Sequence, residues 1–350
     1  MIAQPVAARR RAEARARGVP RRWALGAFAF LLLALLVGLG VGAIGISPAD
    51  IAVSAVSHLP FVHVRTRLSS VDEAILWQLR APRVVLAALV GGMLAVAGAA
   101  YQGVFRNPLA DPYLLGVAAG AGLGATLVIA YGGGSPQLLP PAAFGGAALA
   151  VVLTYGLGRS AGPARATGAL VLAGVMVATF VTAIQTFVQQ QHTDSVVNVF
   201  TWLLGGFSTA SWRDVGVAAP YIGVSSLAIV LHRRVLDVLS VGDDEAASLG
   251  VDVARVRLIV VAAATVGTAA AVSVSGLIAF VGIIVPHTVR LLVSTSYRAV
   301  VPLSLLAGAA FLALTDVLAR TILSPQELPI GVITAFFGAP FFAVVLARSR

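Results

Sequence analysis

Between Tyr113 and Gly158 the chain carries no charged side chain. A helix rises 1.5 Å per residue, so roughly 20 apolar residues cross about 30 Å of hydrocarbon, and this run holds about two crossings. Gly132-Gly133-Gly134-Ser135-Pro136 is the turn that divides them. Further apolar stretches lie at 23–49, 84–105, about 166–189, 215–232, 299–319 and 330–347. Leu258 to Val289 is uncharged but too long for one crossing. It breaks near Ser273-Val274-Ser275-Gly276 into a seventh span and a short eighth holding Pro286 and His287. The pattern predicts an all-α integral membrane protein of ten transmembrane helices over residues 23–350, with a basic tail over 1–22. The first apolar stretch exceeds the roughly 7–15 residues of a signal-peptide core, so it reads as an uncleaved span.

Composition agrees. Charged residues make up 11% of the chain, against about 25% in soluble domains, and mean hydropathy is +0.94. All 24 basic residues are Arg. Without Lys there is no phosphate loop of the GxxxxGK[ST] type, so the chain has no ATP site of that kind. Without Cys there are no disulfides, thiolate metal sites or Cys nucleophiles. The net charge of +10 does not point to nucleic acid, because the Arg residues are spread along loops between spans. With an even number of spans and the N-terminus inside, eighteen Arg residues fall on the inner side and six on the outer. That is the asymmetry of the positive-inside rule, and it puts both termini in the cytoplasm.

Leu239 to Arg257 is the most acidic piece of the chain, and on this topology it is cytoplasmic. Asp243, Asp244 and Glu245 suit the first turn of a short helix, Ala246, Ala247, Ser248 and Leu249 continue it, and Gly250 ends it, with Gly242 just before. Such a helix, hung between two spans, fits a groove on another protein; the alternative is a solvated loop.

Charge inside the hydrocarbon is scarce, and a carrier driven by an ion gradient needs an ionisable residue there. Asp316 is the acidic candidate, but it lies one turn from Arg320, which favours a structural pair. His287, beside Pro286, is open to a ligand or proton-carrier role or to helix-start or gate packing, and Asn107 and Pro108 in the polar knot Arg106 to Pro112 read, with Pro286, as gate or packing residues. Arg80, Arg83 and Arg320 sit at the outer ends of spans, where they suit carboxylates of a docking protein or snorkel to headgroups. Gly91, Gly92, Gly98, Gly116, Gly120, Gly124, Gly276 and Gly282 recur at spacings that let helices approach closely. Between Gln189 and Asp214 a short interfacial helix is expected, with Trp202 and Trp212 as belt residues.

Several stretches together resemble one family. They are LRAPR (79–83), GGMLAVAGAAYQ (91–102), RNPLADPYLLG (106–116), GAG (120–122), LVLAG (170–174), WLLGGF (202–207), VGDDEAASLGV (241–251), GLIAFVGIIVPHTVR (276–290) and ELPIGVITAFFGAPFF (327–342). In this order they resemble the FecCD family, permease subunits of type II ABC importers for iron–siderophore chelates, haem and cobalamin. The resemblance runs from about residue 76 to the C-terminus. Departures are Tyr101 before Gln102, Ser294-Thr295-Ser296-Tyr297, and the long Arg-rich tail.

The resemblance implies a homodimer in the cytoplasmic membrane of a bacterium, with a path along the dimer axis. It also implies two ATPase subunits, which bind ATP and Mg, and one extracytoplasmic substrate-binding protein. This chain then binds no cofactor and no metal, and catalyses nothing itself. By the same resemblance the segment Gly242 to Gly250 is the coupling helix, Arg80, Arg83 and Arg320 pair with Glu on the binding protein, and Thr179, Thr182, Gln185 and Gln189 face the path. Ferric siderophore, haem and corrinoid all stay open as substrate. Two other classes remain: an ion-coupled secondary carrier for a large organic solute, and a membrane scaffold, which would need His or Cys cofactor ligands at helical spacing.

Overall fold

The computed structural model describes residues 19–42, 44–58, 66–133, 135–160 and 166–348, in which every regular element is helical. Most of the basic tail lies outside them, as do Arg65, Gly134, Arg165 and Arg350. The helices are α1 (Arg21–Gly40), α2 (Pro48–Ser57), α3 (Ser70–Ala74), α4 (Ala81–Val104), α5 (Val117–Tyr131), α6 (Leu139–Arg159) and α7 (Ala166–Gln191). They continue with α8 (Val196–Leu203), α9 (Trp212–Leu239), α10 (Asp243–Ser248), α11 (Val253–Ser275), α12 (Val281–Leu292), α13 (Tyr297–Thr321) and α14 (Ile330–Arg348). Among the described residues seven helices are long and apolar enough to cross a membrane, and three shorter apolar ones, α5, α12 and 330–341, join them.

The centre is α4, buried on nearly every face and packed against α13, α11, α9 and α12. Gly98 allows this: a Cβ there would collide with the carbonyl of Gly282 in α12. Helices α5 and α6 meet the same way at Gly120 and Gly146, with α7 beside them and α11 joining the two halves. Helix α1 lies on the outside, touching α13 through Ala34, Ala310 and Ala313. Two of the expected packing glycines also turn the chain. Gly116 (φ +80°) precedes α5, and Gly276 (φ +66°) ends α11 where the sequence places the break.

The second span departs from expectation. It does not begin at Val84: α3, a π-helical turn over Ile75–Arg80, and α4 form one continuous helix from Ser70. Arg80 and Arg83 argue against a helix crossing there, yet both are buried with partners. The polar interval before it also holds a helix, α2, whose N-cap Ser47 accepts the N–H of Asp50 at 3.1 Å. The short helix expected between Gln189 and Asp214 is present as α8. Trp212 opens α9, and its indole N–H donates to the carbonyl of Trp77 at 2.7 Å.

Candidate functional site

The ionic contacts fall at two opposite ends of the bundle. At one end α10 is seated by Asp243, whose carboxylate takes both bonds from Arg257 at 3.1 Å and lies 3.6 Å from Arg106. Arg257 stands at the start of α11, and Arg106, at φ 51°, closes the turn after α4. The stop is as expected: Gly250 adopts φ +80°, its N–H reaches the carbonyl of Ala247 at 2.9 Å, and that of Val251 reaches Ala246 at 3.1 Å. Ala246 is fully buried in the main core. Asp244, Glu245, Ala247, Ser248, Leu249 and Gly250 are exposed, Leu249 at 72% and the flanking Val241 at 70%. Ala246 therefore faces inward, because one side of so short a helix must pack on the spans. Gly242, also buried, and Asp243 belong to the seat.

The polar knot lies at this end. Asn107 turns on itself, its side-chain oxygen accepting the N–H of Leu109 at 2.9 Å, and both Asn107 and Pro108 are exposed. Gln102 ties the knot to α12 by donating to the carbonyls of Ala110 (3.3 Å) and Gly282 (3.1 Å) and accepting from Arg290 (2.6 Å). Asp111, half-buried, accepts the Tyr113 N–H at 2.8 Å. Burial pushes its carboxyl up to about 6, against that bond. Asp237 joins α9 to α13 by accepting from Ser296 (2.7 Å) and the N–H of Tyr297 (2.6 Å). Pro286 is buried within α12, and the His287 ring stands edge-on to Phe341 at 5.8 Å, which is a packing arrangement.

A cavity of about 510 Å³ opens between α5, α7 and α8. Thr182, Gln185 and Gln189 line it together with Thr186, one face of α7 at helical spacing. Thr179 does not reach it; its hydroxyl is turned back to the carbonyl of Val175 at 2.8 Å. Leu277 contributes from the unwound stretch between α11 and α12. Tyr113 holds that stretch, its hydroxyl donating to the carbonyl of Ile278 (3.0 Å) and accepting its N–H (3.2 Å). Irregular backbone is tolerated in such a bundle where protein satisfies it.

At the other end the three outer Arg residues are turned inward, a correction to the rim expected from sequence. Arg83 grips Asp316 through Nε at 2.9 and 3.0 Å and Glu327 through its two Nη atoms at 2.7 and 3.0 Å. Arg320 lies 3.7 Å from Asp316 and donates to the carbonyl of Gly38. Arg80 donates to the carbonyls of Leu39 (3.0 Å), Gly40 (3.3 Å) and Ile44. Burial explains the turn, since carbonyls and carboxylates inside the protein must be satisfied. Of this cluster the Glu327 side chain is the most open, at 37%.

Gln102, Tyr113 and Asp237 were not expected as hubs. Tyr113 and Gln102 sit inside matched stretches, which was their only signal. Among the described residues no group of three His, Asp or Glu side chains could hold a metal ion.

Comparison with known proteins agrees with this architecture. The model of the FecCD transport family matches residues 30–348. The uncharacterized ABC transporter permease YvrB of Bacillus subtilis is 36% identical over 327 residues, 92% of either chain. The cobalamin import permease BtuC of Halobacterium salinarum is 39% identical over 78% of this chain and 73% of its own. A solved inward-facing metal-chelate type ABC transporter superposes with a TM-score of 0.81 at 28% identity, covering 93% of this chain and 98% of that one. A multi-pass helical permease whose matched stretches run in family order belongs, on these grounds, to the FecCD transport family.

Proposed function

We propose that this chain is the permease subunit of an importer that carries an iron–siderophore chelate, haem or cobalamin across the cytoplasmic membrane. A separate ATPase drives it by gripping α10. The observation that carries this is the two-sidedness of α10: Ala246 and Asp243 seat the helix, while Ala247, Ser248 and Leu249 stand clear of the chain. A rigid short helix between α9 and α11 can pass a push into both. From there it reaches α7, whose Thr182, Gln185 and Gln189 offer neutral hydrogen-bonding groups to a large polar chelate. Thr179 would reach the path only if α7 turns.

The working unit is a homodimer. Leu172, Val175, Met176, Phe180 and Phe187 make an exposed apolar face on α7 that a second copy would cover. At the far end an extracytoplasmic binding protein docks. Its carboxylates would exchange with Glu327 for Arg83, with Arg80 and Arg320 holding the frame behind. The energy comes from the ATPase because Asp316, the residue an ion-coupled carrier would use, is held by Arg83 and Arg320. The test is uptake by the reconstituted complex with ferric siderophore, haem and cobalamin in competition. One of them should be accumulated with ATP and be lost with Gln185→Leu; transport of none would overturn the reading.

A further inference from the structure

A second cavity, of about 550 Å³, lies at the α10 end between α6, α7 and α11. Three guanidinium groups line it: Arg159 from the end of α6, and Arg255 and Arg257 from the first turns of α11. Asp252 is the acidic residue in its wall, and one of its carboxylate oxygens is already used by the N–H of Arg255 at 3.0 Å as the helix cap. Among the described residues neither Arg159 nor Arg255 makes an ion pair, and Arg159 rests over the ring of Tyr155 at 5.9 Å. Arg257 spends its Nη2 on Asp243, and its Nε is buried without a hydrogen-bond partner. The guanidinium groups that the cavity offers without a carboxylate partner are therefore those of Arg159 and Arg255. Below the Arg residues the wall is apolar, from Leu170, Leu258 and Val261.

We infer that this cavity binds a phosphate group, and that an anionic phospholipid supplies it. Phosphate matches several guanidinium forks at once, and basic pockets between spans at a membrane surface suit anionic headgroups. The apolar wall beneath offers a lie for the first part of an acyl chain, which a soluble phosphate would not use. The inference rests on the reading of α10 as the coupling element in one respect: the phosphate would meet the guanidinium that seats Asp243, so lipid composition and the seat of α10 are joined.

The test uses the purified full chain in nanodiscs of phosphatidylcholine with and without phosphatidylglycerol, read by lipid retention in native mass spectrometry and by the unfolding midpoint. Phosphatidylglycerol should be retained and should raise the midpoint. Arg159→Gln with Arg255→Gln should weaken retention by roughly 30-fold, whereas the Lys pair at the same positions should keep most of it. Arg213→Gln, an exposed residue at the other end, should change nothing. If inorganic phosphate in pure phosphatidylcholine gives the same stabilisation, and the Gln pair removes it, the phosphate site stands and the lipid source is overturned. No preference for phosphatidylglycerol or phosphate, or an equal loss with Arg213→Gln, overturns the site. Because the readout is binding, it can fail while ATP-driven uptake persists, and the reverse.

Discussion

At the scale of single residues, Arg83 shows how far a charge can be misread from its neighbours in sequence. Its partners Asp316 and Glu327 lie 233 and 244 residues away. Without them Arg83 looks like the end of a span, and with them it sits inside one. Removing it would leave the fully buried Asp316 with only Arg320 nearby. Arg83→Ala should therefore lower stability by about 3–5 kcal/mol, measured by denaturation in detergent, while Arg83→Lys, which keeps a cation beside Asp316, should lose clearly less. Equal losses in both variants would deny the pair that role. Asp111 allows a pH test. Its folded-state value near 6 is above the ordinary carboxyl value, so the folded chain holds a proton that the unfolded chain has released. Stability thus falls as pH rises from about 4 to about 6 and stays lower above. Asp111→Asn, which keeps an acceptor for Tyr113, should raise the unfolding midpoint at about pH 8 and leave it unchanged near pH 4. A gain of equal size at both would show that the Asp111 charge is not the cause.

Among elements, α10 separates seat from contact. Ala246→Leu would overfill a buried position and cost roughly 1–3 kcal/mol of stability. Ala247 is exposed, so Ala247→Trp should leave the unfolding midpoint in place yet break the link between ATP hydrolysis and uptake. Coupling unaffected by Ala247→Trp would remove α10 from the mechanism. Here sequence reasoning found the helix, its acidic first turn and its glycine stop, because those are local signals. It did not see which alanine faces inward, because that depends on Arg106 and Arg257 meeting Asp243 across three elements. The spans were legible for the same local reason, as was the break at Ser275 and Gly276. The early start at Ser70, the inward Arg residues, and the hubs Gln102, Tyr113 and Asp237 were not, since each is defined by a distant partner. On α7 the residues 182, 185 and 189 come together as helical spacing requires. Thr179 falls outside the cavity, to which that turn of α7 contributes Ala178 instead.

Over the whole molecule, the chain brings together a cavity with neutral polar groups on its α7 wall, an acidic residue locked in an ion pair, and a short acidic helix with one exposed side, which on the proposed reading make a path worked by a separate engine. If a second copy covers the exposed face of α7, as proposed, the purified permease should show a doubled mass. The most direct measurement of the central claim is substrate accumulation in liposomes under two energy sources. The complex with its ATPase should accumulate substrate on addition of ATP, and the permease by itself should accumulate none under an imposed proton or sodium gradient. Accumulation by the isolated permease under such a gradient would contradict the account.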